Sequence, residues 1–320
     1  MVCTDSRGNQ HYIFDCIQSA LDTSGAAPLE LEITAVDNSP GSGLAERLRR
    51  RFPCVRVREN RSTLGFATNH NAVFGESNGE YFLVSNDDVV YLPGALERAV
   101  AYLEDSAHRR VGVVGLQRLN PDGSVQPSTY SFQTVPRLLL DLSGLRSWIG
   151  FAPWAARLAQ WLGKGEGRSR FWAHDKTLPV QTFGGAAMLV RREAACDVGP
   201  MDEVSVIGGE ENEWHKRMWD AGWSVVFLHD ARVVHFGSQT IRHLPRTQTE
   251  FFKGALNYFW KHRPRVVYHA ACLLAVPILL LRMLPYALRR RWEEVGVLVG
   301  SMKVAARWAV TGPETLNREG

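Results

Sequence analysis

The stretch Tyr81-Phe82-Leu83-Val84-Ser85-Asn86-Asp87-Asp88 passes from an aromatic and apolar run directly into four polar residues. A short apolar run that ends in a turn signal is typical of a strand buried in a parallel sheet. Two adjacent carboxylates at the end of a rigid strand suit a hard divalent cation. The alternative is a turn or a helix N-cap, because Asn and Asp favour both.

The same pattern occurs twice upstream. An apolar run over residues 29–36 ends in Asp37-Asn38-Ser39-Pro40-Gly41, and Val2-Cys3-Thr4 is predicted as the end of an earlier strand. Helices are predicted over about residues 12–21, 44–52 and 67–74, between the strands. Strands that alternate with short helices predict an α/β fold with a parallel, doubly wound sheet, at least through residue 105.

Three polar clusters follow the predicted strands, at Thr4, at Asp37-Asn38 and at Asn86-Asp87-Asp88. Ligands of such sheets bind beyond the carboxyl ends of the strands. The sequence therefore predicts one cleft that all three clusters line. For Asp37 the alternative is turn chemistry, because Ser39-Pro40-Gly41 follows it.

A second acidic cluster, Glu210-Glu211-Asn212-Glu213, follows Gly208-Gly209 and opens a helix predicted over about residues 211–221. The helix dipole stabilises acidic residues at this end, so a structural role is one interpretation. The other is a general base that accepts the proton of a hydroxyl. His235 follows a further strand, and either ordinary hydrogen bonds or a metal ion would satisfy it.

Composition narrows the class of protein. Hydrophobic residues make up 45% and charged residues 22% of the 320 residues, which is typical of a folded globular chain. The net charge of +4 is too small to indicate nucleic-acid binding. The five cysteines are scattered without a Cys-x-x-Cys pair, so neither disulfides nor a zinc site are indicated. With no secretory-signal pattern over residues 1–10, we expect a reduced, cytoplasmic setting.

Taken in order, these segments resemble the family 2 glycosyltransferases of the GT-A fold, over residues 2 to about 238. Val2-Cys3-Thr4 and Val36-Asp37-Asn38-Ser39 resemble the family's first two strands, the second with its nucleotide-recognising Asp. Leu64-Gly65-Phe66-Ala67 and Asn69-His70-Asn71 resemble the stretch near the donor. Asn86-Asp87-Asp88 resembles the metal-binding D-x-D position.

The second half continues the resemblance. Gly184-Gly185-Ala186-Ala187-Met188-Leu189-Val190-Arg191 resembles the family's acceptor-side segment. Glu210-Glu211-Asn212-Glu213-Trp214, with Arg217 and Ala221-Gly222-Trp223, resembles E-D-x-D-L-x-x-R…A-G-W at the same spacing. Val234-His235-Phe236-Gly237-Ser238 resembles the family's late V-x-H-x-x-S. The implied fold is a mostly parallel α/β sheet flanked by helices, with a C-terminal helical appendage.

The resemblance implies an inverting transfer of a sugar from a nucleotide diphosphate to a hydroxyl. It implies that Glu211 is the catalytic base, where the family usually has Asp, and that Asp88, Asp87 and His235 hold Mn²⁺ or Mg²⁺. The implied donor-binding residues are Thr4, Asp37, Asn38, Gly65, Asn71, Asn86 and Asp87. The implied acceptor-binding residues are Gly185, Ala186, Glu210 and Trp214. The Asn-Asp-Asp form, shared with rhamnosyltransferase-like members, points to a dTDP or UDP donor. The expected acceptor is a hydroxyl of a glycan or of a lipid-linked molecule, in polysaccharide or cell-wall synthesis.

We expect a glycosyltransferase domain over residues 1–240, with a nucleotide-sugar half at 1–118 and an acceptor half at 119–240, and a helical region over 241–320. Residues 266–288 reach membrane-spanning length but include His269, Arg282 and two prolines. An interfacial helix on the cytoplasmic face of the membrane, with Arg289-Arg290-Arg291 at the headgroups, fits better. The alternatives are a packing helix and a homodimer interface.

Two other functions stay open at this point. A sugar-phosphate nucleotidyltransferase also combines a doubly wound sheet with acidic metal ligands, but residues 5–10 contain only Gly8 where that class has a glycine-rich loop. A catalytically inactive family member that acts as an assembly partner is the non-enzymatic alternative.

Overall fold

A computed structural model describes residues 2–3, 10–24, 29–145, 174–237 and 247–314. The chain divides into two compact units, and each is described separately. The sheet unit comprises Met1–Ser131, Arg170–Met201 and Trp214–His243, and the helical unit comprises Phe132–Ser169, Asp202–Glu213 and Leu244–Gly320. The functional boundaries predicted at residues 118 and 240 stay a prediction, because these units reflect packing alone.

The first part of the sheet unit is a three-stranded parallel sheet in the order β1-β2-β3. Helix α1 packs an apolar stripe on it, as its spacing predicts, and Ile13, Cys16 and Ile17 are all buried. Helix α2 contributes Leu44 and Leu48 to the same core. The elements are β1 (Val2–Cys3), α1 (Gln10–Ser24), β2 (Thr34–Asp37), α2 (Leu44–Arg51) and β3 (Arg56–Glu59).

The larger sheet has the order β4-β10-β6-β11-β5, with β8 also on β11, and a two-stranded ribbon pairs β7 with β9. Its strands are β4 (Tyr81–Ser85), β5 (Val89–Tyr91), β6 (Val111–Leu119), β7 (Thr129–Tyr130), β8 (Leu178–Pro179), β9 (Thr182–Phe183), β10 (Ala187–Arg191) and β11 (Ser224–His235). The helices between them are α3 (Phe66–Glu76), α4 (Ala95–Glu104), α6 (Arg192–Val198) and α7 (Glu210–Asp220), the last of which begins in the helical unit.

The predicted α/β class with flanking and C-terminal helices is confirmed, whereas strand direction is more mixed than expected. Parallel pairing holds throughout β1–β3 and between β6 and β11. Strand β10 is antiparallel to both β4 and β6, and β11 is antiparallel to β5. Strand β6 is buried on both faces from Val111 to Arg118. A fully buried strand reads as a continuous apolar run whichever way its neighbours run, so its sequence does not encode their direction.

The helical unit contains α5 (Val135–Ser143), α8 (Thr247–His262), α9 (Arg265–Leu288) and α10 (Trp292–Thr311). Thr134 caps the start of α5 and Gly144, with φ of 74°, ends it. Aromatic side chains fill the core between these helices, and the Tyr268 hydroxyl donates to the carbonyl of Trp308 at 2.6 Å. In the described part of the chain, α9 is the one helix long and apolar enough to cross a membrane.

Candidate active site and metal centre

The carboxyl ends of β1, β2 and β4 lie close together, as predicted. Burial raises the pKa of the Cys3 thiol well above its usual range, and the nearby carboxylates of Asp87 and Asp37 raise it further. The amide of Asn38 also donates to the Cys3 carbonyl at 2.8 Å, so the first two strand ends are directly bonded. Thr4, the third predicted member of this edge, lies outside the described residues.

Asp37 holds the turn that follows β2. One carboxylate oxygen accepts the Ser39 amide at 2.9 Å, and the other accepts the Ala45 amide near the start of α2 at 3.0 Å. Gly43, which precedes α2, has no side chain to cap it, so Asp37 serves the helix in its place. The turn alternative is therefore correct for Asp37, and its contact with the donor stays a prediction.

Asn38 belongs to a network of three buried asparagines, Asn38, Asn60 and Asn69. Its side-chain oxygen accepts from Asn60 and from the Leu64 amide, both at 2.8 Å, and its side-chain nitrogen donates to the Leu64 carbonyl at 3.0 Å. Asn60 also donates to Asn69 at 2.7 Å, and Asn69 donates to the Gly65 carbonyl at 2.9 Å. The network thereby fixes Gly65 at the start of α3, next to the predicted donor site.

Asn71, another predicted donor contact, points to a different part of the sheet unit. Its side-chain nitrogen donates to the Met201 carbonyl at 2.8 Å, and its oxygen accepts the Met201 amide at 3.0 Å. The amide thus pairs with the chain as a neighbouring strand would. Asn71 therefore holds the chain at Met201, and its role in donor binding stays a prediction.

The acidic turn after β4 is anchored on both sides. The Asn86 amide donates to the Ala186 carbonyl at 2.8 Å, which brings the predicted acceptor-side segment to this turn. On the other side Tyr91 donates to Ser85 at 2.7 Å, and Ser85 donates to the Asn86 carbonyl at 2.9 Å. Asp87 is buried next to this anchor. A Cβ atom at Gly185 would lie 3.8 Å from the ring of Phe66, so this segment runs beside the start of α3.

Asp88 and His235 form the least satisfied pair of polar groups at this edge. Asp88 Oδ1 lies 3.3 Å from His235 Nε2, the two residues are only 6% and 8% exposed, and neither atom has a hydrogen-bond partner of acceptable geometry. His235 Nδ1 lies 2.7 Å from Gln126 Oε1. The orientation of the Gln126 amide is consistent, because its nitrogen donates to Asn120 Oδ1 at 3.1 Å.

That orientation determines what His235 offers. Because Gln126 Oε1 can only accept, Nδ1 carries the proton, and in the neutral ring Nε2 then presents a lone pair towards Asp88. Two buried acceptors then face each other, an arrangement that a cation between them would stabilise. Metal-binding histidines typically have their other ring nitrogen held in this way.

The donor set fits a divalent cation whose remaining ligands come from elsewhere. Within the described ranges no cluster of three or more His, Cys, Asp and Glu side chains could enclose a metal. Cations that serve nucleotide substrates often take only one or two protein ligands and complete their shell with phosphate oxygens and water. One carboxylate and one imidazole suit Mn²⁺ better than Mg²⁺, which prefers oxygen ligands alone.

The acidic cluster of the helical unit separates into three environments. Glu213 is fully buried and accepts from His262 Nε2 at 3.0 Å, so its role is structural. Burial raises the pKa of Glu210 to about 8, with the charges of Glu211 and Glu250 adding to it, and its Oε2 has no partner. Glu211 is only partly buried. Of the three, Glu211 is the carboxylate in a position to exchange a proton with a solvent-facing group.

Trp214, predicted to contact the acceptor, is a core residue of the sheet unit. Its side chain is 3% exposed, it packs with Val73 and Met218, and its indole nitrogen donates to the Gly199 carbonyl at 2.8 Å. The family-like spacing around Trp214 therefore reflects packing in the sheet unit. Its contact with the acceptor stays a prediction.

Two comparisons of sequence bear on this site. Residues 2–147 match the family model described as glycosyl transferase family 2. This part of the chain is a family 2 glycosyltransferase domain. The chain is also 28% identical over 222 residues to N-acetylglucosaminyl-diphospho-decaprenol L-rhamnosyltransferase from two strains of Mycobacterium tuberculosis. The match covers 64% of this chain and 66% of those relatives, slightly less than two thirds of their length. The family expected from the sequence is confirmed for this domain.

Solved structures agree on the fold. GalNAc-T7, solved with UDP, GalNAc and Mn²⁺, is 14% identical with a TM-score of 0.55, and the match covers 81% of this chain and 47% of that one. The mannosyltransferase PcManGT from Pyrobaculum calidifontis, in complex with GDP-Man and Mn²⁺, is 15% identical with a TM-score of 0.52 over 95% of this chain and 86% of that one. At such identities the similarity supports the GT-A fold of this glycosyltransferase and no finer property.

Sequence reasoning missed Gln126 and the hydrogen bonds that join Asn38 to Asn60 and Leu64. Gln126 follows the exposed turn Pro121-Asp122-Gly123-Ser124, where no periodic pattern marks a functional side chain. The available signal was indirect: a metal-binding histidine needs a hydrogen-bond acceptor for its other ring nitrogen. Its location more than a hundred residues earlier in the chain becomes visible only in the fold.

Proposed function

We propose that this chain is an inverting, metal-dependent glycosyltransferase that moves a sugar from a nucleotide diphosphate to a hydroxyl. The observation that carries the proposal is the pair Asp88 and His235. Their facing acceptor atoms are 3.3 Å apart, buried and without hydrogen-bond partners, while Gln126 holds the other ring nitrogen. A nucleotide sugar supplies the diphosphate oxygens that such a two-ligand site needs to hold a cation.

Asp88 and His235 would hold the cation, preferably Mn²⁺, with Asp87 nearby. When bound, the cation supplies charge neutralisation for the departing diphosphate. The asparagine network keeps the donor-side loop at Gly65 in place, and the Ser85–Asn86 anchor keeps the acidic turn fixed. The protein's contribution on this side is therefore preorganisation, which lowers the cost of placing charge during the reaction.

Glu211 would accept the proton of the acceptor hydroxyl. The hydroxyl oxygen forms the new bond to the anomeric carbon, and the bond from that carbon to the diphosphate breaks with its electron pair, which inverts the configuration. Because the pKa of Glu210 is raised to about 8, this neighbour is mostly neutral at pH 7. A neutral Glu210 can donate a hydrogen bond to the acceptor or to Glu211 without adding negative charge.

We further propose a dTDP or UDP donor and a lipid-linked acceptor, with a glycan acceptor as the alternative. The Mycobacterium tuberculosis relatives are named as rhamnosyltransferases for a diphospho-decaprenol acceptor, which supports this choice. A role in polysaccharide or cell-wall synthesis follows from that acceptor class. The proposed location is the cytoplasm, at the cytoplasmic face of the membrane.

The surface of α9 supports a membrane contact. Its inner side packs in the helical unit through Tyr268, Ala275 and Leu279. Its outer side exposes large apolar side chains, including Leu273, Leu281 and Leu288 at 69%, 68% and 85% exposure. An apolar face of this length on the surface marks an interaction site.

The arginines at both ends of α9 favour a membrane over a second copy of the chain as the partner of this face. Arg263 and Arg265 are exposed at its start, Arg289 and Arg290 are exposed at its end, and α9 itself contains no acidic residue. A second copy would bring arginines against arginines in either orientation, whereas anionic lipid headgroups are complementary to both ends. Arg282 donates to the Leu142 carbonyl at 2.8 Å, so the middle of α9 is tied to the helical unit and an interfacial position fits better than a spanning one.

Transfer and binding assays test the chemistry. Nucleoside diphosphates should raise the melting temperature only with Mn²⁺, and Glu211→Gln should retain that shift yet lose transfer to a diphosphate-linked N-acetylglucosamine lipid. Glu193→Gln, at an exposed position of α6, is the matched control. Undiminished transfer by Glu211→Gln would overturn its assignment as the base. Pyrophosphate release from a nucleoside triphosphate would favour the nucleotidyltransferase, and binding by wild type without turnover would favour the inactive family member.

Vesicle sedimentation tests the membrane contact. The wild type should bind vesicles that contain anionic lipid, and the triple change Leu273→Ser, Leu281→Ser and Leu288→Ser should abolish binding while leaving the protein folded. Val310→Ser, at an exposed position on α10, should change nothing. A concentration-dependent dimer that the triple change disrupts, without vesicle binding by the wild type, would support the homodimer instead.

A further inference from the structure

Arg118, at the end of β6, carries a positive charge that no carboxylate balances in the described part of the chain. The residue is 8% exposed, and its guanidinium donates to the Pro127 carbonyl at 3.0 Å and to the Tyr130 hydroxyl at 3.4 Å. Both acceptors are neutral. Its Nε is buried and has no partner at all. Most of the five donors of this guanidinium are thus unused.

An unbalanced buried charge is unfavourable in a folded protein. Removal of a cation from water costs several kcal/mol unless an anion and hydrogen bonds compensate. Elsewhere in the sheet unit, exposed Arg49 and half-buried Arg58 lie at ion-pair distance from glutamates. Arg118 combines burial with the absence of a carboxylate partner, and a ligand that brings negative charge would relieve this imbalance.

The position of Arg118 is next to the proposed metal pair. Arg118 and Val233 are paired in the parallel register of β6 and β11, and His235 follows two residues later. Side chains two residues apart on a strand point to the same face, so Arg118 and His235 extend from one face of the sheet. The Gln126 amide donates to the Arg118 carbonyl at 2.9 Å, so the residue that orients His235 is bonded to Arg118 as well.

A glycine lets the chain approach the guanidinium closely. A Cβ atom at Gly184 would lie 3.2 Å from Arg118 Nη1, tighter than ordinary van der Waals contact. Gly184 therefore packs against the guanidinium, in the segment that also bonds Asn86 through Ala186. A group bound to Arg118 there would lie along the edge that holds the acidic turn.

We propose that Arg118 binds a phosphate group of a substrate, which rests on the proposed function. The guanidinium fork matches the spacing of two phosphate oxygens, and such charge-assisted contacts are about twice as strong as neutral ones. The donor brings a diphosphate, and a lipid-linked acceptor of the proposed class brings another. Both sources share the same chemistry, and the test distinguishes them.

The test is calorimetric binding by Arg118→Met and Arg118→Lys. UDP and dTDP with Mn²⁺ represent the donor, and N-acetylglucosamine linked through a diphosphate to a short prenyl chain represents the acceptor. Arg118→Met should lower the affinity for either the donor probes or the acceptor probe about tenfold to a hundredfold, as expected for the loss of a hydrogen-bonded charge. Arg118→Lys, which keeps the charge without the fork, should lose less. Arg110→Met, at an exposed position before β6, should bind like wild type.

Stability separates binding from architecture. If the charge of Arg118 is balanced only when a phosphate is bound, removing it should not destabilise the ligand-free protein. Arg118→Met without ligand should then melt at the same temperature as wild type or higher. A lower melting temperature with unchanged affinities would overturn the proposal. Equal affinities of wild type and Arg118→Met for both probes, including no binding by either protein, would also overturn it.

If Arg118→Met does not fold, Arg118→Lys decides the question, because unchanged affinity for both probes would then contradict the need for the fork. The proposed function fails separately, through the absence of transfer by the wild type while phosphate binding still depends on Arg118.

Discussion

Two buried polar clusters of the sheet unit differ in how completely their atoms are bonded. In the asparagine network, Asn38 uses its side-chain oxygen twice and its nitrogen once, and it does so within the protein. In the metal pair, Asp88 Oδ1 and His235 Nε2 lie 3.3 Å apart, and neither atom has a hydrogen-bond partner. Both clusters lie at the strand ends that the sequence predicted as one cleft.

The difference separates architecture from chemistry. Buried polar groups are normally hydrogen-bonded, so a satisfied network needs nothing further and its loss costs stability. A buried pair without hydrogen bonds destabilises the ligand-free protein, and a ligand that bonds to it restores that stability. Sites of the second kind should become more stable when they are altered and less active, whereas sites of the first kind should become less stable.

Asp88→Asn should have the largest effect on activity. The new amide can donate to His235 Nε2, which relieves the facing acceptors, so the melting temperature should rise. Removal of the carboxylate ligand should abolish Mn²⁺-dependent nucleotide binding and lower transfer about 10³-fold or more. Asp122→Asn, in an exposed turn, is the control. A variant that is less stable and still binds Mn²⁺ with nucleotide would place Asp88 among the architectural residues.

Gln126→Ala should weaken the metal pair without removing a ligand. Loss of the acceptor frees His235 Nδ1 and allows the ring to change tautomer, so the affinity for Mn²⁺ should fall about 10- to 100-fold. Gln126→Glu keeps an acceptor at this place and should preserve the affinity. Titration of Mn²⁺ at saturating nucleotide measures both, and equal affinities for Ala and Glu would show that Nδ1 needs no partner.

Asn60→Ala should act mainly on stability. It removes the donor shared by Asn38 and Asn69, and it leaves buried oxygens short of a partner, which should cost about 1–3 kcal/mol. Chemical denaturation measures this loss. At a temperature where the variant is folded, its affinity for nucleotide with Mn²⁺ should stay close to that of wild type. A large loss of affinity with no loss of stability would mean that the network itself contacts the donor.

Glu210→Gln should give the smallest effect, one that depends on pH. The pKa of Glu210 is raised from 4.5 to about 8 in the folded protein, so between these values the unfolded chain binds fewer protons and wild-type stability falls as pH rises. The neutral amide removes this dependence. Melting temperatures from pH 5 to pH 9 should therefore fall less steeply for the variant, and parallel curves would contradict the assignment.

The sequence predicted the fold best where apolar runs mark buried strands and polar residues mark their ends. The apolar run of β4 and its polar end predicted the edge of the sheet, and the two earlier runs predicted β1 and β2 with helices between the strands. It was least informative about direction and partners. Strand β10 enters the sheet antiparallel from the second half of the chain, and nothing in its apolar run reveals this.

Side-chain roles divided in the same way. Asp37 and Trp214 carry family-like spacing yet hold a turn and a core, because the same residue types satisfy structure and chemistry. His235 needed its partner Gln126 to be interpretable, and that partner is distant in sequence. Bonding that depends on long-range contacts cannot be predicted from local pattern, which is why Arg118 was also missed.

Electron spin echo modulation of bound Mn²⁺ tests the central claim most directly. With wild-type protein and saturating UDP or dTDP, we expect modulation from a directly coordinated nitrogen, and His235→Gln should abolish it while Asp88 remains. Specific labelling of histidine with nitrogen-15 should change the pattern in the wild type. Bound Mn²⁺ with no nitrogen modulation, or with modulation unchanged by His235→Gln, would contradict the assignment of Asp88 and His235 as the metal site.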